Sequence, residues 1–274
     1  MSIPRGRDGC DRRCAGARGC FLVLAAAVAC GPALHPIPAN LETDPGVLLA
    51  RFSRWAEAIP SLAAEARLEN YGPREVVKGR VTLVAERSGR LRVDAWTPTD
   101  QHLAVLLADR EAFFYHERGA PECLSGLSCP RNLARLLPIG LGVREAVGVL
   151  FGVPPVYAPQ AEWTMTFDRR AGAYELQSAV AGGAEQRLWL LPDGTPIRAE
   201  LRQAGALAYR VEFSRHESLS GTLRPFAIHV VVPSQRSDLT IRYREIEPGV
   251  SPDEEDFVAS CPEGLPTRVV PCED

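Results

Sequence analysis

From residue 80 to residue 245 apolar side chains return at every second position, segment after segment, with short turns between them. Val81, Leu83 and Ala85 alternate with Arg80, Thr82 and Glu86, Ser88-Gly89 turns the chain, and Leu91, Val93 and Ala95 then alternate with Arg90, Arg92 and Asp94. A period of two is that of a strand with one apolar and one polar face, so this pair reads as a hairpin. The same alternation predicts strands at 102–107, 112–117, 162–168, 173–179, 186–191, 197–203, 207–214, 225–232 and 238–245, eleven in all. Turns such as Arg170-Ala-Gly172 and Pro192-Asp-Gly194 are too short for crossovers, so neighbouring strands pair antiparallel in a meander. Arg198, Glu200, Arg202, Arg210, Glu212, Arg242 and Arg244 fall opposite the apolar stripe. A one-sided sheet of this kind must cover its apolar face with helices or with a ligand.

Helical periods occur in two places. Asp44 is placed to cap a helix with Pro45 at its first position, and Val47, Leu48, Phe52, Trp55, Ile59 and Leu62 follow at three- and four-residue steps, which predicts a helix over about 45–60. Residues 131–151 carry Leu133, Leu136 and Leu137, then Val143, Val147, Leu150 and Phe151, and read as two short helices broken at Pro138-Ile-Gly140. The predicted class is α+β: one curved antiparallel sheet of about eleven strands, a half-barrel with helices over its concave apolar face, spanning 44–274 as a single domain. A length of 274 residues suits one large β domain.

The first 29 residues have a different character. Arg5, Arg7, Arg12, Arg13 and Arg18 precede an uncharged run, Phe21 to Ala29, that ends at Cys30. This is the layout of a secretory signal peptide. Nine helical residues span about 14 Å, against a hydrocarbon core of about 30 Å, so the run is too short to cross a bilayer. Ala27 and Ala29 before Cys30 resemble the lipobox of bacterial lipoproteins, in which the cysteine is acylated and becomes the new N-terminus; a leucine is usual where Ala27 stands. Gly31, in place of an aspartate, resembles lipoproteins sorted to the outer membrane. Residues 30–43 are proline-spaced and read as a lipidated tether with a reach of about 40 Å. The expected location is therefore the outer membrane, lipid-anchored and facing the periplasm.

Removing residues 1–29 takes away five of 31 basic and two of 34 acidic residues and leaves a net charge of −6. That balance argues against nucleic acid as a partner. It also leaves membrane attachment to the acyl chains. Lys78 is the sole lysine among the 31 basic residues, an imbalance that fits a GC-rich coding sequence. Four cysteines remain beyond the anchor, Cys123, Cys129, Cys261 and Cys272. In an oxidising compartment they suggest two disulfides. Of the three connectivities, sequence spacing favours Cys123 with Cys129 and Cys261 with Cys272; a zinc site is disfavoured because no Cys-x-x-Cys pair or nearby histidine is present.

Motifs for catalysis are scarce. Gly-x-Ser-x-Gly, His-Glu-x-x-His and a Walker loop are all missing, and Gly140-x-Gly142 is followed by Glu145 where a dinucleotide fingerprint needs glycine. His216 beside Glu217 reads as a solvated strand end, and Asp253–Asp256 as a solvated helix start. The expectation is a non-enzymatic protein with no cofactor and no metal. A hydrophobic ligand is physically reasonable, since an acyl chain entering an apolar cup gains about 0.8 kcal/mol per methylene. Trp55, Leu83, Val93, Val105, Phe113, Tyr115, Trp163, Met165, Phe167, Phe213 and Ile228 are the candidate cavity residues. The other possibility is that the same residues make a dry core and that the fold serves as an envelope scaffold binding protein partners.

The strand and helix order resembles the LolA/LolB family of bacterial lipoprotein-localisation proteins. The residues that carry the resemblance are Gly89-Arg-Leu-Arg-Val-Asp-Ala-Trp-Thr-Pro98, the run from Leu136 to Gly152, and Phe257 with Pro262-Glu-Gly264. It covers about 45–270 and implies an eleven-stranded half-barrel with a helical lid over an apolar cavity. The lipobox resembles the LolB side of the family, implying the acyl chains of a lipoprotein or lipid as ligand and a role in transfer. LolB-type receptors project an apolar residue from a loop between early strands. The turns at 87–90 and 98–101 hold no leucine, and Leu124 and Leu127 either take that part or tuck against the sheet.

Overall fold

Fourteen strands form a single sheet. The structure is a computed structural model and describes residues 34–72, 76–158 and 161–272; the expected signal peptide and Cys30 lie outside them. After α1 (Pro45–Glu57) the chain forms β1 (Ser61–Tyr71), β2 (Val76–Glu86), β3 (Arg90–Trp96), β4 (His102–Ala108), β5 (Ala112–Glu117) and β6 (Cys123–Leu127). Two short helices follow, α2 (Pro130–Leu133) and α3 (Val143–Leu150). Then come β7 (Thr164–Asp168), β8 (Ala173–Val180), β9 (Ala184–Leu190), β10 (Pro196–Gln203), β11 (Ala206–Leu219), β12 (Thr222–Val232), β13 (Ser237–Pro248) and β14 (Thr267–Val270). The first six strands run outward to one edge and β7 to β13 run back from the other, so that β13 pairs with β1 at the centre. Every neighbouring pair is antiparallel except the last. β14 returns beside β6 in parallel, Thr267 opposite Cys123 and Val270 opposite Gly126.

The alternation places side chains as expected. Leu83, Val93, Leu106, Val211, Ile228 and Ile241 are 0–2% exposed on the core face. The outer face of the central strands carries a charge lattice: Glu69 meets Arg67, Lys78 and Arg242, while Glu65 meets Arg80 and Arg244. Glu200, 2% exposed, lies between Arg198 and Arg202.

The sheet has three strands more than the eleven predicted. β1 was hidden by its composition. Its core-facing Leu62, Ala64, Ala66 and Leu68 alternate with Ala63, Glu65 and Arg67, but Ala, Glu, Arg and Leu are also strong helix formers, and Leu62 extends the preceding helical spacing. β6 and β14 have only five and four residues, and a parallel pairing across some 140 residues leaves no local trace. Helix is correspondingly sparse. α1 matches its expected start, with Asp44 accepting the Gly46 N–H at 2.8 Å, and ends at Glu57.

The cysteine pairing differs from the one favoured by spacing. Cys123 is bonded to Cys261 and Cys129 to Cys272, with Cα separations of 5.9 and 6.1 Å. Both bonds fasten the C-terminal arm to the β6 end of the sheet. On the way, the arm crosses the outer face. There Glu254 pairs with Arg90, and the Arg90 guanidinium stacks on Phe257 at 4.1 Å. The run Asp253–Asp256 makes a short capped 3-10 turn there.

Part of the stretch expected as a tether is docked on the fold. From His35 the chain is fastened to the β7–β8 hairpin, with the His35 N–H donating to the Arg169 carbonyl at 2.8 Å. Docking thus begins before the expected domain start at residue 44. Among the described residues, no helix is long and apolar enough to cross a membrane.

Candidate functional site

The core face is covered by the three helices and the loops between them, and the covering is uneven. Leu133, Leu137, Ile139 and Leu150 are 1–2% exposed and fill the centre of the cup. Of the candidate cavity residues, Leu83, Val93, Phe113, Phe213 and Ile228 are 0–3% exposed within that packed core, and Trp55, on the core side of α1, is 6% exposed. Tyr115, Met165 and Phe167 are half-buried against its margin. Val105 is a correction. It stands opposite Asp94 and His116 on the outer face, because Ala104, Leu106 and Ala108 are the core-facing residues of β4. His216 also departs from the solvated reading: it is half-buried, and burial lowers its pKa below the usual imidazole value.

Trp163 belongs elsewhere. With Leu49, Phe52, Ser53, Ala56 and Glu57 of α1, Arg144, Glu145, Val147 and Gly148 of α3, and the segment Val153–Tyr157, it lines a cleft of about 630 Å³. Leu49, Phe52, Val147, Val153, Val156 and Trp163 give it apolar surface, and Arg87, Arg144, Glu57 and Glu145 are among the residues that add a comparable polar one. The volume lies within the range of about 300–1,000 Å³ typical of small-molecule sites. Sequence reasoning missed this cleft because its walls come from helix faces and an irregular loop, which have no period-two signature.

The two helices that bound the cleft are pinned at their C-terminal ends. Arg224 of β12 is 2% exposed; it donates to the Trp55 carbonyl at 2.5 Å and to the Phe151 carbonyl at 3.5 Å, and its guanidinium lies 3.8 Å from the centre of the Trp55 ring. Arg87 donates to the Ala56 carbonyl at 2.5 Å, and Tyr243 donates to the Leu150 carbonyl at 2.8 Å. The last carbonyls of a helix lack intrahelical partners and carry its negative dipole end, so a cation is favourable there. Arg224 has no carboxylate partner among the described residues. Burial, and then the nearby charge of Arg87, lower its pKa to about 10. Gly152, with φ +81°, allows the close approach: a Cβ there would come within 2.6 Å of Pro225.

The loop wall is pinned differently. Gln186 of β9 is fully buried, donates to the Pro155 carbonyl at 2.6 Å and accepts from the Tyr157 N–H at 3.0 Å. At the middle of α1, Gly194 in the β9–β10 turn, with φ +92°, packs so tightly that a Cβ would lie 2.5 Å from the Phe52 nitrogen. α1 is therefore held at its middle and at its C-terminal end, with the cleft along its flank. The Tyr157 phenol, partly desolvated and near Glu145, is pushed up to about 12 and stays neutral.

Elsewhere, Asp94 takes a bidentate bond from Arg92 and faces His102 Nε2 at 2.7 Å on the outer face. Among the described residues no group of three or more His, Cys, Asp or Glu side chains is placed to hold a metal ion. Leu124 is tucked into the core at 9% exposure, whereas Leu127 is 67% exposed.

No protein-family model matches the sequence, and no curated protein sequence matches it. Solved structures do match in fold. A DUF1329-family protein of Desulfovibrio piger superposes with a TM-score of 0.56 at 14% identity, covering 79% of this chain and 98% of its own. A LolA-superfamily protein of Nitrosomonas europaea gives 0.53 at 11% identity, covering 80% and 99%. A domain of Vibrio parahaemolyticus named for outer-membrane lipoprotein sorting gives 0.50 at 10% identity, covering 77% and 93%. With an open curved sheet, a sparse helical cover and these likenesses, the chain has the LolA/LolB-like fold.

Proposed function

We propose that the protein binds an apolar chain, the acyl group of a lipid or lipoprotein, in the cleft between α1 and α3, and that it does so as a lipid-anchored lipoprotein facing the periplasm from the outer membrane. The observation that carries the reading is the cleft itself: about 630 Å³, with Leu49, Phe52, Val147, Val153, Val156 and Trp163 among its lining residues. Burying ten methylenes there would contribute about 8 kcal/mol gross, from which the cost of ordering the chain is subtracted. The lipobox ending at Cys30 and the two disulfides support a secreted, anchored protein. The fold shared with a domain named for lipoprotein sorting supports transfer as the context.

Native mass spectrometry of anchor-free protein from a periplasm, with lipid extraction of the same sample, tests the reading. A bound mass that extracts as lipid or lipopeptide is the expected result; a clean apo mass that stays apo with added lipopeptide would overturn it. The scaffold reading has its own support, since the centre of the cup is packed and both edge strands, β7 and β14, are short and unpaired on one side. The apo outcome would transfer weight to it.

A further inference from the structure

The segment leading into α1 is fastened to the fold yet leaves its large apolar side chains in water. His35 donates its N–H to the Arg169 carbonyl at 2.8 Å, and its own carbonyl accepts from Arg169 Nε at 3.2 Å. The imidazole packs on Gly172, where a Cβ would lie 2.8 Å from the ring. Glu42 donates its N–H to the Tyr174 hydroxyl at 2.9 Å, and its carboxylate meets Arg51 at 3.1 Å. Between and beside these ties, Leu34, Ile37, Leu41 and Val47 are 51%, 57%, 42% and 38% exposed. Four of the eleven exposed large apolar residues among those described thus fall within residues 34–47. Grouped apolar exposure of this kind marks an interaction surface. Arg169 and Arg170 are exposed next to it.

We infer that this surface, residues 34–47 with the β7–β8 turn, rests on the lipid bilayer. The inference builds on the reading of Cys30 as the acylated residue. Five residues lead from Cys30 to His35, and even fully extended they span at most about 18 Å. Acyl chains at Cys30 therefore keep the His35–Arg169 junction within about 18 Å of the bilayer, close enough for Leu34, Ile37 and Leu41 to enter the interface while Arg169 and Arg170 meet lipid phosphates. In an antiparallel meander successive turns alternate between the two ends of the sheet. The β7–β8 turn shares its end with the β9–β10 turn and α1, and the β10–β11 turn at Ala204–Gly205 lies at the opposite end. The membrane-facing end is thus the end that carries α1, one wall of the cleft, so a lipid ligand would exchange with the bilayer over a short distance.

The test uses the full chain, acylated in its host and reconstituted into vesicles of phosphatidylethanolamine and phosphatidylglycerol. A phospholipid with a photoreactive group near its headgroup is included, and crosslinked peptides are mapped by mass spectrometry. Crosslinks on 34–47 and 169–172, at least five-fold above those on 203–206, are the expected result. The variant Leu34→Ser/Ile37→Ser/Leu41→Ser should lose most of that yield while its Cys30 peptide keeps the acyl mass. Crosslinks on 203–206 at equal yield, or an unchanged yield in the variant, would overturn the orientation while the anchor stands. A Cys30 peptide without acyl mass would bring down the anchor itself and the orientation with it.

Discussion

The two edges of the sheet are held in different ways. At the β14–β6 edge the chain is closed covalently, by Cys123–Cys261 and Cys129–Cys272, and the arm between them is clamped by Arg90 on Glu254 and Phe257. At the β7 edge the chain is held without a covalent bridge among the described residues, by the hydrogen bonds of His35 with Arg169 and of Gln186 with the loop at Pro155 and Tyr157 and by the Glu42–Arg51 ion pair. The cleft opens beside the second edge, walled by Trp163, which directly precedes β7. The difference assigns stability to one edge and adaptability to the other. A wall of helix flank and hydrogen-bonded loop can yield to a ligand where a disulfide-stapled edge cannot.

The comparison breaks first at the staples. Each disulfide closes a loop of roughly 140 residues, and removing one such bridge costs about 2–5 kcal/mol. Cys129→Ser/Cys272→Ser should therefore lower the urea midpoint and the amide-exchange protection of β6 and β14, yet leave lipid occupancy by native mass spectrometry unchanged. A fall in occupancy would show that the two edges are coupled. In the packed centre, Leu150→Ala should cost about 3 kcal/mol through the cavity it leaves, again read by urea unfolding.

At the cleft the pattern reverses. Trp163→Ala should cost about 2 kcal/mol, because the side chain is only partly buried, while bound lipid falls several-fold. A large stability loss with intact occupancy would place Trp163 in the core and remove it from the site.

The smallest effect is electrostatic. Burial alone would raise the pKa of Glu200, but Arg198 and Arg202 outweigh it and hold the carboxyl below its usual 4.5. A depressed folded-state value means the ion pairs contribute above pH 4.5 and are lost as pH falls through the lower folded value. The stability difference between wild type and Glu200→Gln should accordingly shrink on acidification below pH 4.5, as followed by unfolding curves. A difference constant with pH would mean that Glu200 acts only through packing.

How much was legible depended on range. The apolar face of β2 and β3, the Asp44 cap of α1 and the turns at Gly172 and Gly194 were readable because each is set by neighbours in the chain. β1 was not, because its Ala- and Glu-rich strand shares the composition of a helix and only pairing with β2 and β13 decides between them. Val105 was assigned to the cup because β4 reads Leu-Ala-Val-Leu-Leu-Ala, apolar on both faces. Alternation carries no sign where both faces are apolar.

By itself, then, the sequence determined most of the elements that form and which face of most strands is apolar. Those properties follow from side-chain periods of 2 and 3.6 and from capping chemistry within a few residues. Tertiary structure alone decided the cysteine pairing, since it required β14 to arrive beside β6 from the far end of the chain. It also decided that the cup is packed at its centre and that a cleft lies along α1. The reason is that filling a volume depends on how distant surfaces meet, and no local pattern encodes the space left between them.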